Sequence, residues 1–506
     1  MRRLKLPAAC SAPERVAIES SGAVFKPAGA YNIFQTTRAH LFRGPAPQAH
    51  STTHPLRRPD SSSCPSGEMN SPQAKRKRAR DAEAKEATDL KAFKADLLSK
   101  VIVKTIVKEQ TNTQSVTALQ FNHLPFAAGA PGASETNDTN LGNLFATCGG
   151  DFATVYDDEH FGEHVAVVAQ FKNEATRHTA GGELTAVAWV DARGFTRHEF
   201  GDALLAVGGG DDNAVQIFSV AEARVVRMLK GHVGAVVALA AGARDGETQK
   251  NQVQDGASRL AVLDSNGTVT VWNWRTAQVL CVFETEDAVA VEMPAGGDVV
   301  FTGHADGGVL AWPVNASASA SDVPRRDGAV LGTAGNVKAL ARHEAAAVTV
   351  HLAGAHTGAA VDCVRCLPGD RLATKSVDGV VCVRAARSSP ASKKAATTTW
   401  KVPGRVTPKK HELRSALSSF GCDPAGEFLA AGNSDGETFV YDVATGDLIK
   451  AVKQDRDFKG LNAVRAAAVS RDCRRVHAAF GPGVVWRAEV VPGLDDEEGP
   501  GTPEEA

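Results

Sequence analysis

One segment shape recurs along the chain: LFATCGGDFATVYD (144–157), LLAVGGGDDNAVQIFS (204–219), RLAVLDSNGTVTVWN (259–273), VVFTGHADGGVLAWP (299–313) and FLAAGNSDGETFVYD (428–442). Each is an apolar run, a tight turn of Gly, Asp or Asn, and an alternating run that ends near an aromatic ring. That is the signature of two antiparallel strands joined by a hairpin. Two weaker copies, RLATKSVDGVVCVRA (371–385) and RVHAAFGPGVVWRAE (475–489), bring the count to seven. Self-similarity at this period constrains the fold before any single residue does.

The turns centre on Asp151, Asp211, Asn266, Asp306, Asp378, Asp435 and Pro482, at intervals of 60, 55, 40, 72, 57 and 47 residues. The shortest interval is the length of one bare propeller blade, about 40 to 45 residues. The longer ones are blades with insertions, and polar or small-residue stretches at 127–143, 242–258, 315–330 and 387–410 supply them, none with helix or strand periodicity. Strand candidates precede five hairpins: TALQFN (117–122), LTAVAWV (184–190), AVVALAA (235–241), AVDCVRCL (360–367) and AVRAAAV (463–469). The expected fold is all-β, a seven-bladed WD-repeat β-propeller over residues 101–491. VIVKTIV (101–107) closes the ring on the last blade from the N-terminal side.

Composition fits one large domain with tails: 43% apolar and 23% charged residues, and no apolar run of membrane-spanning length. Residues 492–506 are acidic and poor in large apolar side chains, which predicts disorder. Residues 1–70 read either as a disordered basic extension resembling a transit peptide or as a leader upstream of a true start at Met69. Between them and the propeller, residues 71–100 open on Lys75, Arg76, Lys77, Arg78 and Arg80 and continue as a short helix. That basic run is a nuclear-import candidate, set against a nucleic-acid patch or a merely solvated charged stretch. Neither the net charge of −2 nor the pI of about 6.7 points to a nucleic-acid-wrapping chain. No direct sequence-specific nucleic-acid binding is expected, and no membrane partner.

Catalytic signals are absent from the sequence. There is no GxxxxGK[ST], HExxH or GxSxG, and the Gly208-Gly209-Gly210 cluster precedes a strand, not a helix whose N-terminus could hold an anion. The nine cysteines are scattered, and Cys363 and Cys366 fall on opposite faces of one strand with no second pair to complete a zinc site. No cofactor and no enzyme activity are expected. His232, in KGHVGAV, occupies the position where a WD blade holds a structural hydrogen bond.

Taken in chain order, the blade segments resemble one family. QSVTALQFN, VDCVR followed by Lys375-Ser376, and the terminal SRD (470–472) followed by VWR (485–487) are similar to the Polycomb WD-repeat proteins known as embryonic ectoderm development, extra sex combs or fertilization-independent endosperm. The resemblance spans about residues 101 to 490. It implies a nuclear, non-catalytic scaffold subunit of a histone H3 methyltransferase complex that acts in gene silencing. Its implied partners are a SET-domain methyltransferase, the other Polycomb subunits and the histone H3 tail.

The family reads trimethyl-lysine with an aromatic cage. The matching positions here are Thr117, Thr185, Ala416 and Leu417, none aromatic. Loss of the rings removes cation–π attraction of about 0.5 to 2 kcal/mol per contact, so methyl-lysine reading is doubtful. Trp400 is the one nearby ring that could substitute, since Tyr156, Tyr441, Trp189, Trp272, Trp312 and Trp486 sit at repeat positions and read as packing residues. Two other readings remain open. One is the leucine-rich-repeat and WD-repeat partner of the origin recognition complex, which the lack of a leucine-rich repeat in residues 1–100 disfavours. The other is a cytoplasmic scaffold, either a ubiquitin-ligase substrate receptor or a trafficking adaptor.

Overall fold

The computed structural model describes residues 72–108, 116–124, 143–158, 165–176, 181–192, 195, 202–242, 258–314, 331–333, 348–349, 355–385, 397–404, 417–453, 463–481 and 483–490. The expectations for 1–70 and 492–506 lie outside these residues, as do most of the four insertions.

Seven small sheets form a ring, and the molecule is a seven-bladed β-propeller. From the centre outward, blade 1 is Ala118–Phe121, Leu144–Gly149, Phe152–Asp157 and Ala166–Lys172. Blade 2 is Leu184–Val190, Leu204–Gly209, Ala214–Ser219 and Arg224–Lys230, with Leu331–Thr333 added parallel to its outer strand. Blade 3 is Val236–Ala241, Arg259–Asp264, Thr268–Asn273 and Gln278–Glu284, and blade 4 is Ala288–Glu292, Val299–His304, Val309–Pro313 and Val348–Thr349. Blade 5 is Val361–Leu367, Arg371–Ser376, Val380–Ala385 and Thr398–Lys401. Blade 6 is Gly421–Cys422, Phe428–Gly432, Thr438–Asp442 and Leu448–Val452. Blade 7 is Val464–Val469, Arg475–Phe480 and Val484–Val490, and Val101–Lys108 completes it in antiparallel register, Val101 opposite Val490.

The second and third strands of every blade except blade 4, whose third strand is half-buried, are buried on both faces because a blade is sandwiched between neighbours. That is why these strands read as apolar runs and do not alternate. A hydrophobic cluster fills every seam of the ring. Leu204, Ala206, Leu260 and Trp272 lie between blades 2 and 3, and Ala468, Ala479, Phe121 and Phe145 between blades 7 and 1. Cys363 and Cys366 face opposite seams, blade 5 against blade 6 and blade 4 against blade 5.

Three sequence expectations need correction. Residues 387–410 are not structureless, because Thr398–Lys401 forms the outer strand of blade 5. Four residues are too few for periodicity to register. The inner strands of blades 4 and 6, Ala288–Glu292 and Gly421–Cys422, have no counterpart among the predicted strands, and the second is only two residues long. The helix runs over 28 residues, Pro72–Ser99, so the basic run lies inside it and not ahead of it. Proline at the first helical position is favoured there, since its missing N–H needs no partner.

The helix docks on blades 6 and 7 through one face only. Leu98 is fully buried with Val101, Phe428 and Val452, while Lys91 pairs with Asp442 (2.6 Å) and Lys94 with Glu427 (3.5 Å).

Gly307 shows how tightly successive blades approach. It sits in the blade 4 hairpin at φ +94°, and a Cβ there would overlap the carbonyl oxygen of His356. Gly307→Ala is therefore expected to cost more than the roughly 1 kcal/mol of the backbone conformation alone, because the neighbouring segment must also move. A urea midpoint unchanged from that of the parent protein would contradict this.

Candidate functional site

The inner strands enclose a central channel whose cavity is about 290 Å³. A recurrent backbone irregularity marks one lining residue in each of five blades. In blades 2, 3, 4, 5 and 7 the inner strand carries a bulge after its first paired residue, leaving Thr185, Val237, Val289, Asp362 and Arg465 without a register partner. All five line the cavity. A bulge re-aims one side chain relative to its neighbours, and the same device recurs at a lining position in five of the seven blades. Thr117, Leu417, Ser418 and Ser419 also line it.

The structure thus brings Thr117, Thr185 and Leu417 to one cavity, while Ala416 lies outside the described residues. The two threonines act as ties between blades. Thr185 Oγ1 donates to the carbonyl of Val236 in blade 3 (2.7 Å), and Thr117 Oγ1 lies 3.1 Å from the carbonyl oxygen of Cys148 and 3.4 Å from that of Leu184 in blade 2. Phe121 and Trp189 also border the cavity, but both are buried in seams. Phe121 packs edge-on to His477, and the Trp189 indole donates to the Gln120 carbonyl (3.1 Å).

Trp400 does not reach this site. It lies on the outer strand of blade 5, opposite Val381, against Tyr441 (5.7 Å between ring centroids) and Gly446. As a substitute for the missing cage it is corrected to a peripheral packing residue. Tyr156, Tyr441, Trp189, Trp272, Trp312 and Trp486 are all buried. Of the basic run, Arg76, Lys77 and Arg80 are exposed on the helix, whereas the side chains of Lys75 and Arg78 lie outside the described residues.

Two ion pairs stiffen the channel wall. Lys375 Nζ donates to both carboxylate oxygens of Asp362 (2.6 Å to Oδ2), the Ser418 N–H adds a bond to Oδ2 (3.1 Å), and both charged side chains are fully buried. At the far end of the same inner strand Arg365 holds Glu292 at 2.8 Å. Burial pushes the Glu292 carboxyl above its usual range, and the Arg365 charge opposes that. His123 also borders the cavity, and burial together with the Arg471 charge lowers its pKa to about 4, so the ring is neutral near pH 7.

A second buried network crosses the seam that closes the ring. Asp158, after the third strand of blade 1, receives His477 Nε2 (3.1 Å) and Arg487 Nη1 (3.1 Å) from blade 7. Arg487 Nη2 continues to Glu489 (3.2 Å) and to Thr105 on the closing strand (3.3 Å). In blade 3 the Trp272 indole donates to His232 Nε2 (3.0 Å), whose Nδ1 contacts the Asn213 carbonyl of blade 2 (2.9 Å).

The residues that carry the family resemblance therefore sit in buried structural networks: Asp362 and Lys375 in blade 5, and Arg487 at the closure. Among the described residues no group of three His, Cys, Asp or Glu side chains converges as a metal site, and no helix is long and apolar enough to cross a membrane. No family model matches the chain, and no curated protein matches it.

Proposed function

We propose that this chain is a non-catalytic WD-repeat scaffold of a Polycomb-type histone H3 methyltransferase complex that has kept the platform and lost the methyl-lysine reader. A propeller offers two faces of loops on a rigid ring, which suits a protein-interaction platform. The observation that carries the finer reading is the channel wall. Thr117, Thr185 and Leu417, which the resemblance matches to the cage, line this one cavity and none carries a ring. The hydroxyls of both threonines are engaged with backbone carbonyls, and among the described residues Phe121 and Trp189, which border the cavity, are buried in the seams. The exposed cations of the helix support a nuclear address.

Affinity purification with identification of partners tests the assembly. Recovery of a SET-domain methyltransferase supports the proposal, whereas origin-recognition subunits or a ubiquitin ligase overturn it. The reader half is tested by titrating trimethylated and unmodified H3 peptides: equal affinities are expected, and a tenfold preference, about 1.4 kcal/mol, overturns the loss.

A further inference from the structure

The helix Pro72–Ser99 has a second face that the propeller does not use. The docked face is Lys91, Lys94, Ala95 and Leu98. Rotated away from it runs the series Glu83, Glu86, Leu90, Phe93, Leu97 and Lys100, with spacings of 3, 4, 3, 4 and 3 residues. That is the spacing of a coiled-coil seam. Leu90 and Phe93 are each 53% exposed, among the few large apolar side chains so exposed in the described residues. Glu83 and Glu86 are exposed, and the Lys100 side chain, in the turn directly after the helix, is 39% exposed while it contacts Asp96 (3.1 Å).

The seam is acidic at its start, apolar in the middle and basic at its end, so on reversal four of its six positions are complementary, and Leu97 faces Glu86 at the other two. We propose that a second copy of this chain covers this face through antiparallel pairing of the two helices. With Leu90 of one copy over Phe93 of the other, Leu97 meets Glu86, and Glu83 meets Lys100 at both ends of a two-fold interface. Parallel pairing is disfavoured by the same charges, since it stacks Glu83 on Glu83 and Lys100 on Lys100. Leu98, Lys91 and Lys94 stay on the propeller, so the pairing needs no rearrangement of the docked helix. The seam is short, which puts the dimer in the weak, reversible class.

Sedimentation equilibrium of the full chain over about 1 to 100 μM should show a reversible monomer–dimer equilibrium. Leu90→Glu with Phe93→Glu should leave monomer throughout, with an unchanged circular dichroism spectrum. Glu83→Lys alone and Lys100→Glu alone should each weaken association about tenfold, and the two together should restore it to within about threefold. Restoration by the charge swap distinguishes an intermolecular Glu83–Lys100 contact from simple fraying of the last helical turn. A wild-type chain that stays monomeric, a dimer that survives the Leu90/Phe93 change, or a swap that fails to restore association would each overturn the proposal.

Discussion

Lys375→Met is expected to destabilise the propeller by about 3 to 5 kcal/mol, the usual cost of stranding one partner of a buried ion pair. Asp362 would keep the Ser418 N–H but lose the ammonium that neutralises it, in a place where neither side chain reaches water. Pairing the change with Asp362→Leu should recover most of the loss, because two apolar groups of similar size need no charge compensation. Urea unfolding of the parent, the single and the double variant decides the matter. A single variant within 1 kcal/mol of the parent, or a double variant no better than the single, would show that the pair is not a load the fold must balance.

Acidification from pH 7 to pH 5 is the second large effect. Burial holds His123 and His356 neutral with pKa values lowered to about 4, and lowers His232 in the same direction. In the unfolded chain these rings take up protons near pH 6.5. The unfolded state therefore binds more protons between pH 6.5 and pH 4. The stabilisation is complete above pH 6.5 and is lost as pH falls through that window. His123 and His356 should each account for about 1 to 2 kcal/mol of loss at pH 5. Glu292 and Asp202, whose carboxyls burial pushes upward, offset part of the total. His356 is a direct test because its ring nitrogens hydrogen-bond the Ser376 hydroxyl (2.9 Å) and the Thr374 hydroxyl (2.7 Å), and the charges of Asp378 and Lys375 act on it in opposite directions. His356→Gln should lower stability at pH 7 yet flatten its decline between pH 7 and pH 5 by about 1 to 2 kcal/mol. Identical slopes for parent and variant would refute the assignment.

Much of the ring is legible in the sequence because hairpins are local. The turn residues at Asp151, Asp211, Asn266, Asp306, Asp378 and Asp435 each lie in or beside an observed hairpin connection, while Pro482 lies outside the described residues. The closing strand 101–107 is readable too, as a β-branched run placed ahead of the first blade. The outer strands leave a weaker trace. Val348–Thr349 and Thr398–Lys401 have too few residues to show a period, and their partners lie across an insertion.

The site is less legible still. A bulge has no sequence signature, so nothing marks Val237, Val289, Asp362 and Arg465 as facing the channel together with Thr185. Trp400 is near Leu417 in sequence but at the rim of the ring, because the outer strand of one blade precedes the inner strand of the next.

The sequence by itself determined the number of blades and the hairpin positions, since each depends on residue type and local spacing. Only the tertiary structure decided what the family-like residues do. Asp362 and Lys375 meet because adjacent strands of blade 5 pair across 13 residues, and Asp158 and Arg487 meet because the ring closes across 329. Burial then turns ordinary surface-type residues into the charges that the fold must pair.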